Sequence, residues 1–396
     1  MYLRLLNNPA YTQVAPSAQA DGKTNHGRGI VKTRAAIAIE PRKPLEIVEL
    51  DLRDPNPDEV LIRLDSTAVC HSDLAFMDGE QPMVAFPVVL GHEGAGVVEQ
   101  VGDKVTSLAA GDRVILTVIP QCGKCSECLS GRSNLCVDMY RGFSSEGSPF
   151  SYQGGAVDRF MHTGAFTERT VVIESGVTKI NDAAPLNRAC LAACCVATGV
   201  GATIEAGQVR AGETVAVFGL GGVGLNAVQG ARFAGASRII AVDTNGQKES
   251  IARQFGATDF INPREIEGDV SSQIQALTGG GVDVAVEAIG HPETARQALR
   301  SARMGSGRCV VVGMMPSGSE IKLTSADLGI GRSIKISAGG DFKGRYGAAK
   351  LVDWYVEGKL DFDGLVTETF ALEDINAAIA SLRAGKAIRN IIDFNR

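Results

Sequence analysis

The sequence predicts an α/β chain, with a doubly wound parallel sheet beside a second, β-rich domain. Three observations carry this. From Thr214 onward, short apolar runs alternate with helical stretches, the pattern of a parallel sheet covered on both faces by helices. From Lys32 to about Ile119 the chain reads instead as short strands separated by Pro, Asp and Asn clusters, which suits an antiparallel β domain. At 396 residues the chain exceeds what one core usually holds, so about two or three domains are expected.

The elements follow in order. Residues 1–29 are polar and irregular, with Pro9, Pro16, Gly22, Gly27 and Gly29, and read as a flexible N-terminal extension. KTRAAIAIE, LEIVELDL, EVLIRLDSTAV, GAGVVEQVG, DRVILTVI and FTERTVVIE read as strands. Leu186 to Ala206 reads as helical through its first half. TVAVFG is a buried strand, and LGGVGLNAVQGARFAG is a Gly-rich turn entering a helix. RIIAVDT, DFIN, VDVAVEAIG and RCVVVGMM continue as strands, with helices at ESIARQFGA, VSSQIQALTG and ETARQALRSAR between them. SIKISAG, helices around AAKLVDWYVEGKL and LEDINAAIASLRAGK, and the strand AIRNIIDF complete the pattern.

Composition excludes several function classes. The formal net charge is −6 and there is no long basic run, which argues against nucleic acid or an anionic membrane as partner. No apolar run reaches the length of about 18 residues that a spanning helix needs. The nine cysteines are odd in number and clustered, and MYLRLLNNPA lacks the apolar core of a signal peptide. Both features point to a reducing, cytoplasmic setting.

Gly219-Leu-Gly221-Gly222-Val223-Gly224 is a G-x-G-x-x-G. In a chain with 47 glycines the bare pattern is weak, and a glycine-rich turn that binds nothing is the plain alternative. Its context is specific. A strand precedes it, a helix follows, and Asp243 closes the next strand nineteen residues beyond Gly224. The glycines allow the tight turn, the approach to a pyrophosphate and the close helix packing of a Rossmann dinucleotide site. Asp243 would accept the ribose hydroxyls and repel a 2′-phosphate, so NAD is expected over NADP.

Two sulfur-rich patterns suggest metal. Cys70 and His92 are each near an acid, Asp73 and Glu93. Cys and neutral His are zinc ligands. A buried Cys is more often a small hydrophobe, however, and a lone His more often a satisfied core residue. Cys122, Cys125, Cys128 and Cys136 give C-x2-C-x2-C-x7-C. That spacing suits a tetrahedral zinc site or an iron–sulfur cluster, and a redox C-x-x-C is a third reading. As a zinc site, four thiolates leave no open position, so its role would be structural.

Together these pieces resemble the zinc-dependent medium-chain alcohol dehydrogenases, in their class III-like and aryl-alcohol dehydrogenase-like branch. AVCHSD, LGHEGAGVVEQVG, GDRVI, PQCGKCSECLSGRSNLC, FTERTVV, AACCVATGVGA, VFGLGGVGLNAV and AVDTN occur in that family's order, across about Lys32 to Phe394. The resemblance implies two zinc ions per chain and NAD. It implies a catalytic zinc on Cys70, His92 and Cys194, and a structural zinc on Cys122, Cys125, Cys128 and Cys136. Cys194 is taken over Cys195 because its spacing to Thr198-Gly199 matches the family's C-x-x-x-T-G. Glu93 falls just behind that zinc, and Asp73 matches the carboxylate that orients the His ligand. Ser72 matches the residue that hydrogen-bonds the alcohol. His71 and Arg389 match pyrophosphate contacts, and Lys248 matches a basic residue near the adenosine ribose. Thr198 and Val223 would border the nicotinamide. Val118, Phe160, Met161 and Met314 fall at substrate-pocket positions.

The implied chemistry is oxidation of a primary alcohol, apolar or aromatic, to its aldehyde and the reverse. Zinc lowers the hydroxyl pKa so that an alkoxide forms near neutral pH, and hydride passes to the nicotinamide. The implied architecture is a GroES-like catalytic domain at 30–196 with the zinc lobe at 120–137, a Rossmann domain at 197–338, and a return to the catalytic domain at 339–396. Edge strands near Val310 and Ile334 resemble those that pair subunits, so a homodimer or homotetramer is expected. Ala75 stands where many members carry a proton-relay His. The chain also resembles glutathione-dependent formaldehyde dehydrogenases, so S-(hydroxymethyl)glutathione is the alternative substrate. Gln81 replaces their pocket acid, with Glu80 adjacent, and Arg141 is only a loose counterpart of their arginine. A zinc-stapled dinucleotide-binding protein without catalysis is the non-enzymatic alternative.

Overall fold

A computed structural model describes residues 29–81, 83–141 and 147–396; the side chains of Tyr140 and Arg141, and nearly all of the N-terminal extension, lie outside the described part. Three sheets organise the chain. The first is a closed barrel of the strands Ile30–Ala38, Glu46–Arg53, Phe150–Tyr152, Gly155–Arg159 and Val88–Val89. The second runs Val177–Lys179, Arg113–Leu116, Glu93–Val101, Glu59–Val69, Arg389–Asp393, Val366–Phe370, with Arg169–Ile173 also paired to Glu59–Val69. Glu59–Val69 is buried along almost its whole length, and it carries Cys70 at its exit.

The third sheet is parallel throughout, ordered Asp259–Ile261, Arg238–Val242, Thr214–Phe218, Val284–Glu287, Arg308–Val311, Ser333–Ile336. Counted from Thr214 this is the order 3-2-1-4-5-6 of a doubly wound dinucleotide fold. Val215, Ala216, Val217 and Phe218 are buried on both faces, because helices cover each side. The topological switch point, where such sheets bind ligands, lies between Thr214–Phe218 and Val284–Glu287.

Two local expectations need correcting. The stretch 186–206 is helical over nearly all its length, not only its first half, with a break at Cys194 (φ −140, ψ −72). Its second half contains Gly199 and Gly201, which lower intrinsic helix propensity. Tertiary packing overrides that: a Cβ on Gly199 would lie 2.2 Å from the Val223 carbonyl oxygen, so the helices Cys195–Gly201 and Gly222–Phe233 meet backbone to backbone. The hairpin of Phe150–Tyr152 and Gly155–Arg159 was not anticipated. Its turn residues Gln153 and Gly154 are both left-handed (φ 50 and 80), the signature of a two-residue hairpin turn.

After Ser333–Ile336 the chain leaves the parallel sheet through three consecutive left-handed residues, Gly339, Gly340 and Asp341. A Cβ on Gly340 would lie 2.3 Å from the Thr198 carbonyl oxygen, so this turn packs directly under the helix that follows Cys194. Asp341 accepts hydrogen bonds from Ser337 Oγ at 2.7 Å and Asn134 Nδ2 at 3.1 Å. No single helix among the described residues is long and apolar enough to cross a membrane.

Candidate metal centres and cofactor cleft

The first cluster forms where adjacent strands end. Ala68 pairs with Glu93, so antiparallel register brings Cys70, at the exit of one strand, beside His92, at the entry of the other. Cys194 arrives from the break between two helical segments. The ligand atoms of Cys70, His92, Glu93 and Cys194 all lie within 4.8 Å of one another. Asp73 is buried in the first turn of helix His71–Met77 and holds the set together. Its Oδ1 is 2.8 Å from His92 Nδ1 and accepts from the Gly91 N–H at 3.1 Å, and its Oδ2 accepts from the Cys70 N–H at 2.9 Å. Phe160 meets the imidazole edge-on, with centroids 5.3 Å apart.

His92 Nε2 is buried and has no hydrogen-bond partner among the described residues. A buried imidazole nitrogen left unpaired beside two thiols, with its other nitrogen on a carboxylate, is the donor set of a zinc site with an open position. Electrostatics agree. The hydrogen bond with Cys194 holds the Cys70 thiol well below its usual range, with help from the charge of Arg389. Cys194 is pushed up by the same bond and by burial. Burial raises the Glu93 carboxyl to about 7, against the pull of Arg389, whose Nε lies 3.5 Å from it. Cys195 belongs elsewhere: it is fully buried, with Sγ 3.5 Å from the Leu191 carbonyl.

The second cluster is local. The four sulfurs of Cys122, Cys125, Cys128 and Cys136 also lie within 4.8 Å of one another. Backbone N–H groups turn inward to the sulfurs: Cys122 to Cys136, Cys125 to Cys122 and Cys128 to Cys125, each at 3.4 Å. Every cysteine of the chain is a free thiol. Four thiols closing a tetrahedron fit a structural zinc, with no position left for a substrate.

The dinucleotide turn is open where a phosphate would lie. Gly219 is left-handed (φ +87), and a Cβ on Gly224 would stand 1.7 Å from the Gly219 carbonyl oxygen, so neither position accepts a side chain. A Cβ on Gly221 would meet nothing within 4 Å, which leaves room for a pyrophosphate at the N-terminus of helix Gly222–Phe233. Asp243 Oδ2 accepts from the Leu220 N–H at 2.8 Å and from Lys248 Nζ at 3.0 Å. Asp243, Lys248, Asn262, Arg264 and Gly385 line an open cleft of about 600 Å³, suited in size and polarity to the adenosine end of a dinucleotide.

The remaining predicted residues divide. Arg389 joins the two centres: its Nη2 donates to Cys70 Sγ at 3.5 Å, and a Cβ on Gly222 would lie 2.6 Å from its guanidinium carbon. Ser72 Oγ is 3.8 Å from Cys70 Sγ. His71 is exposed in the same turn. Thr198 and Val118 line one narrow crevice with Ile119 and Phe342, and Val223 is partly buried against the shared core. Met161 is left-handed (φ 49) and packs beside the barrel core. Met314 is 41% exposed and stands apart, its backbone against Gly290 in the turn after the neighbouring strand Val284–Glu287. Sequence reasoning named Gln81 without this contact, and missed Glu287. Gln81 Nε2 donates to the Met315 carbonyl at 2.8 Å, tying the segment after helix His71–Met77 to the parallel sheet. Glu287 is fully buried at the end of an apolar strand, and an acid in such a run was itself a signal.

Comparison with known proteins adds the following. The alcohol dehydrogenase GroES-like domain family matches residues 56–182, and the zinc-binding dehydrogenase family matches residues 222–356. The chain is 44% identical to S-(hydroxymethyl)glutathione dehydrogenase of Synechocystis sp. over 369 residues, covering 92% of this chain and 100% of that one. It is also 44% identical, with the same coverage, to the S-(hydroxymethyl)glutathione dehydrogenase of Escherichia coli. Among solved structures, benzyl alcohol dehydrogenase from Acinetobacter calcoaceticus superposes with a TM-score of 0.84 at 33% identity, covering 92% of this chain and 99% of that one. An alcohol dehydrogenase zinc-binding domain protein from Burkholderia ambifaria gives 0.86 at 36% identity with the same coverage.

Proposed function

The chain belongs to the zinc-dependent medium-chain alcohol dehydrogenases, and we propose that it oxidises a primary, apolar or aromatic alcohol to its aldehyde with NAD, and runs the reverse reduction. One observation carries this reading. The buried set of Cys70, His92 and Cys194, with an unpaired imidazole nitrogen, is joined through Arg389 to an open dinucleotide turn. Zinc held by that set would supply Lewis acidity toward the alcohol hydroxyl, and NAD in the turn would supply the hydride acceptor.

The chain's own residues do the rest. Asp73 fixes the tautomer and orientation of His92. Ser72 takes the hydroxyl proton at its Oγ as its own proton leaves toward solvent, and Ala75 supplies no side-chain relay at the position of a relay histidine. Glu93 balances charge behind the ligands. Gly219, Gly221, Gly222, Val223 and Gly224 receive the cofactor, and His71 and Arg389 hold its pyrophosphate. Asp243 and Lys248 hold its adenosine ribose, and Thr198 borders its nicotinamide. Phe160, beside His92, and Val118 give the substrate an apolar wall, with Met161 and Met314 further out. The second zinc, on Cys122, Cys125, Cys128 and Cys136, staples the lobe.

We read 30–196 and 339–396 as the catalytic domain and 197–338 as the cofactor domain. Ser333–Ile336 ends the parallel sheet, and Ile336 on it and Ile330 before it are exposed; both support pairing of subunits into a homodimer or homotetramer. Nine free thiols support a cytoplasmic setting.

A second reading, oxidation of S-(hydroxymethyl)glutathione, is favoured by the names of the relatives at 44% identity. NADH formation separates the two. We expect turnover of benzyl alcohol without glutathione. Turnover confined to formaldehyde plus glutathione would replace the first reading with the second.

A further inference from the structure

The strand Val284–Glu287 ends at the topological switch point, in register with the end of Thr214–Phe218. The two strand-to-helix turns that face each other there are built in opposite ways. The turn after Phe218 is glycine-rich and leaves its helix N-terminus open. The turn after Glu287 fills its own. Glu287 Oε1 accepts from the N–H groups of Ile289 at 3.1 Å, Gly290 at 2.9 Å and His291 at 3.5 Å, and from Thr294 Oγ1 at 2.7 Å. The residue is fully buried, and its Oε2 has no hydrogen-bond partner among the described residues.

The loop that this carboxylate gathers makes two close contacts. Ile289 leans over the first glycine of the dinucleotide turn, since a Cβ on Gly219 would lie 2.4 Å from Ile289 Cγ1. Gly290 (φ +87) presses on the next turn, since a Cβ there would lie 2.2 Å from the Met314 carbonyl oxygen. The Glu287 carbonyl meanwhile accepts from the Val312 and Gly313 N–H groups at 2.9 and 3.1 Å. One residue thus sets both the loop carrying Ile289 and the turn carrying Met314. Ile289 is a large apolar side chain left 51% exposed beside the dinucleotide turn.

We propose that Glu287 is a positioning residue for the nicotinamide half of the cofactor: by gathering the N–H groups of residues 289–291 it fixes Ile289 as a wall over Gly219, on the side of the dinucleotide turn away from Asp243. This deepens the NAD reading and rests on it. The adenosine half, held at Asp243 on the other side of the turn, is untouched by this wall.

The test separates the two halves of the ligand. Wild-type binding of NADH, read from nicotinamide fluorescence, and of ADP-ribose, read by competition, is measured first; failure to bind either overturns the cofactor reading itself. Glu287→Ala is expected to weaken NADH binding about tenfold, the scale of several buried N–H groups losing their acceptor, with ADP-ribose affinity unchanged. Equal losses for both ligands, or none, would overturn the proposal. Thr294→Val removes one donor and keeps the carboxylate, so it serves if the alanine variant does not fold. A loss confined to NADH supports the proposal, and an unchanged NADH affinity overturns it. Glu287→Gln, which keeps an acceptor for the loop, is expected to bind NADH more tightly than Glu287→Ala; equal affinity of the two would overturn the role of that acceptor.

Discussion

The two sulfur-rich clusters have similar atoms and opposite construction. In the lobe, all four thiols come from residues 122–136, and the sulfurs take hydrogen bonds from the loop's own backbone N–H groups. Burial works against the Cys125 thiolate, yet the N–H groups of Cys128 and Val137 hold its pKa down to about 6. The other cluster draws on residues 70, 92 and 194, and its support is side chain and distant: Asp73 on His92, Arg389 on Cys70. A local set can be closed by turn geometry alone. A distributed set exists only once the sheets are assembled, and with three cysteine and histidine ligands it keeps a position for chemistry.

That contrast can be broken, and the largest effect is expected at the distributed set. Cys70→Ala or His92→Ala should lower kcat by more than about a thousandfold, as several kcal/mol of metal assistance are lost. The melting temperature should stay close to wild type, and normal alcohol oxidation by either variant would refute the assignment. Asp73→Asn leaves the ligands in place but loosens His92, so affinity for the catalytic zinc and kcat should fall by about 10–100-fold, measured by chelator competition and initial rates.

Cys128→Ser should do the reverse. The lobe's metal contributes to folding, so thermal unfolding should begin lower by roughly 4 °C, taking a loss of about 3 kcal/mol in a chain of this size. Activity per folded molecule should be kept. A variant of normal stability with lost activity would invert the comparison. Asn134→Ala, which cuts the lobe's hydrogen bond to Asp341, is the mildest: about 1 kcal/mol and about one degree, with kcat unchanged. A fall in kcat would mean that the lobe governs the site through the turn under Thr198.

Legibility in the sequence followed the same division. The four-cysteine spacing and the glycine turn are short-range patterns, and both were read directly from residue order. Cys70 and His92 could be suspected but not joined, because only strand register sets them side by side. The choice of Cys194 over Cys195 came from likeness to a family. In physical terms it depends on one backbone break (φ −140, ψ −72) that turns one thiol into the cluster and leaves its neighbour in the core. The second half of 186–206 was misjudged because its glycines serve helix contact rather than helix ending. Glu287 and Gln81 act on backbone atoms of distant segments, which no spacing rule within one element reveals.

The strand Arg389–Asp393 carries a consequence for how the protein is made. It pairs with Glu59–Val69, and Arg389 reaches Cys70 across 319 residues of sequence. At ordinary rates of translation that interval lasts roughly 15–60 s. Throughout it Cys70 has left the ribosome while its guanidinium neighbour has not been synthesised. The four-cysteine lobe, by contrast, is fully translated within moments of its first thiol. The lobe's donor set is thus complete early in synthesis, whereas the reactive cluster gains the charge that faces Cys70 only when the last strand is made.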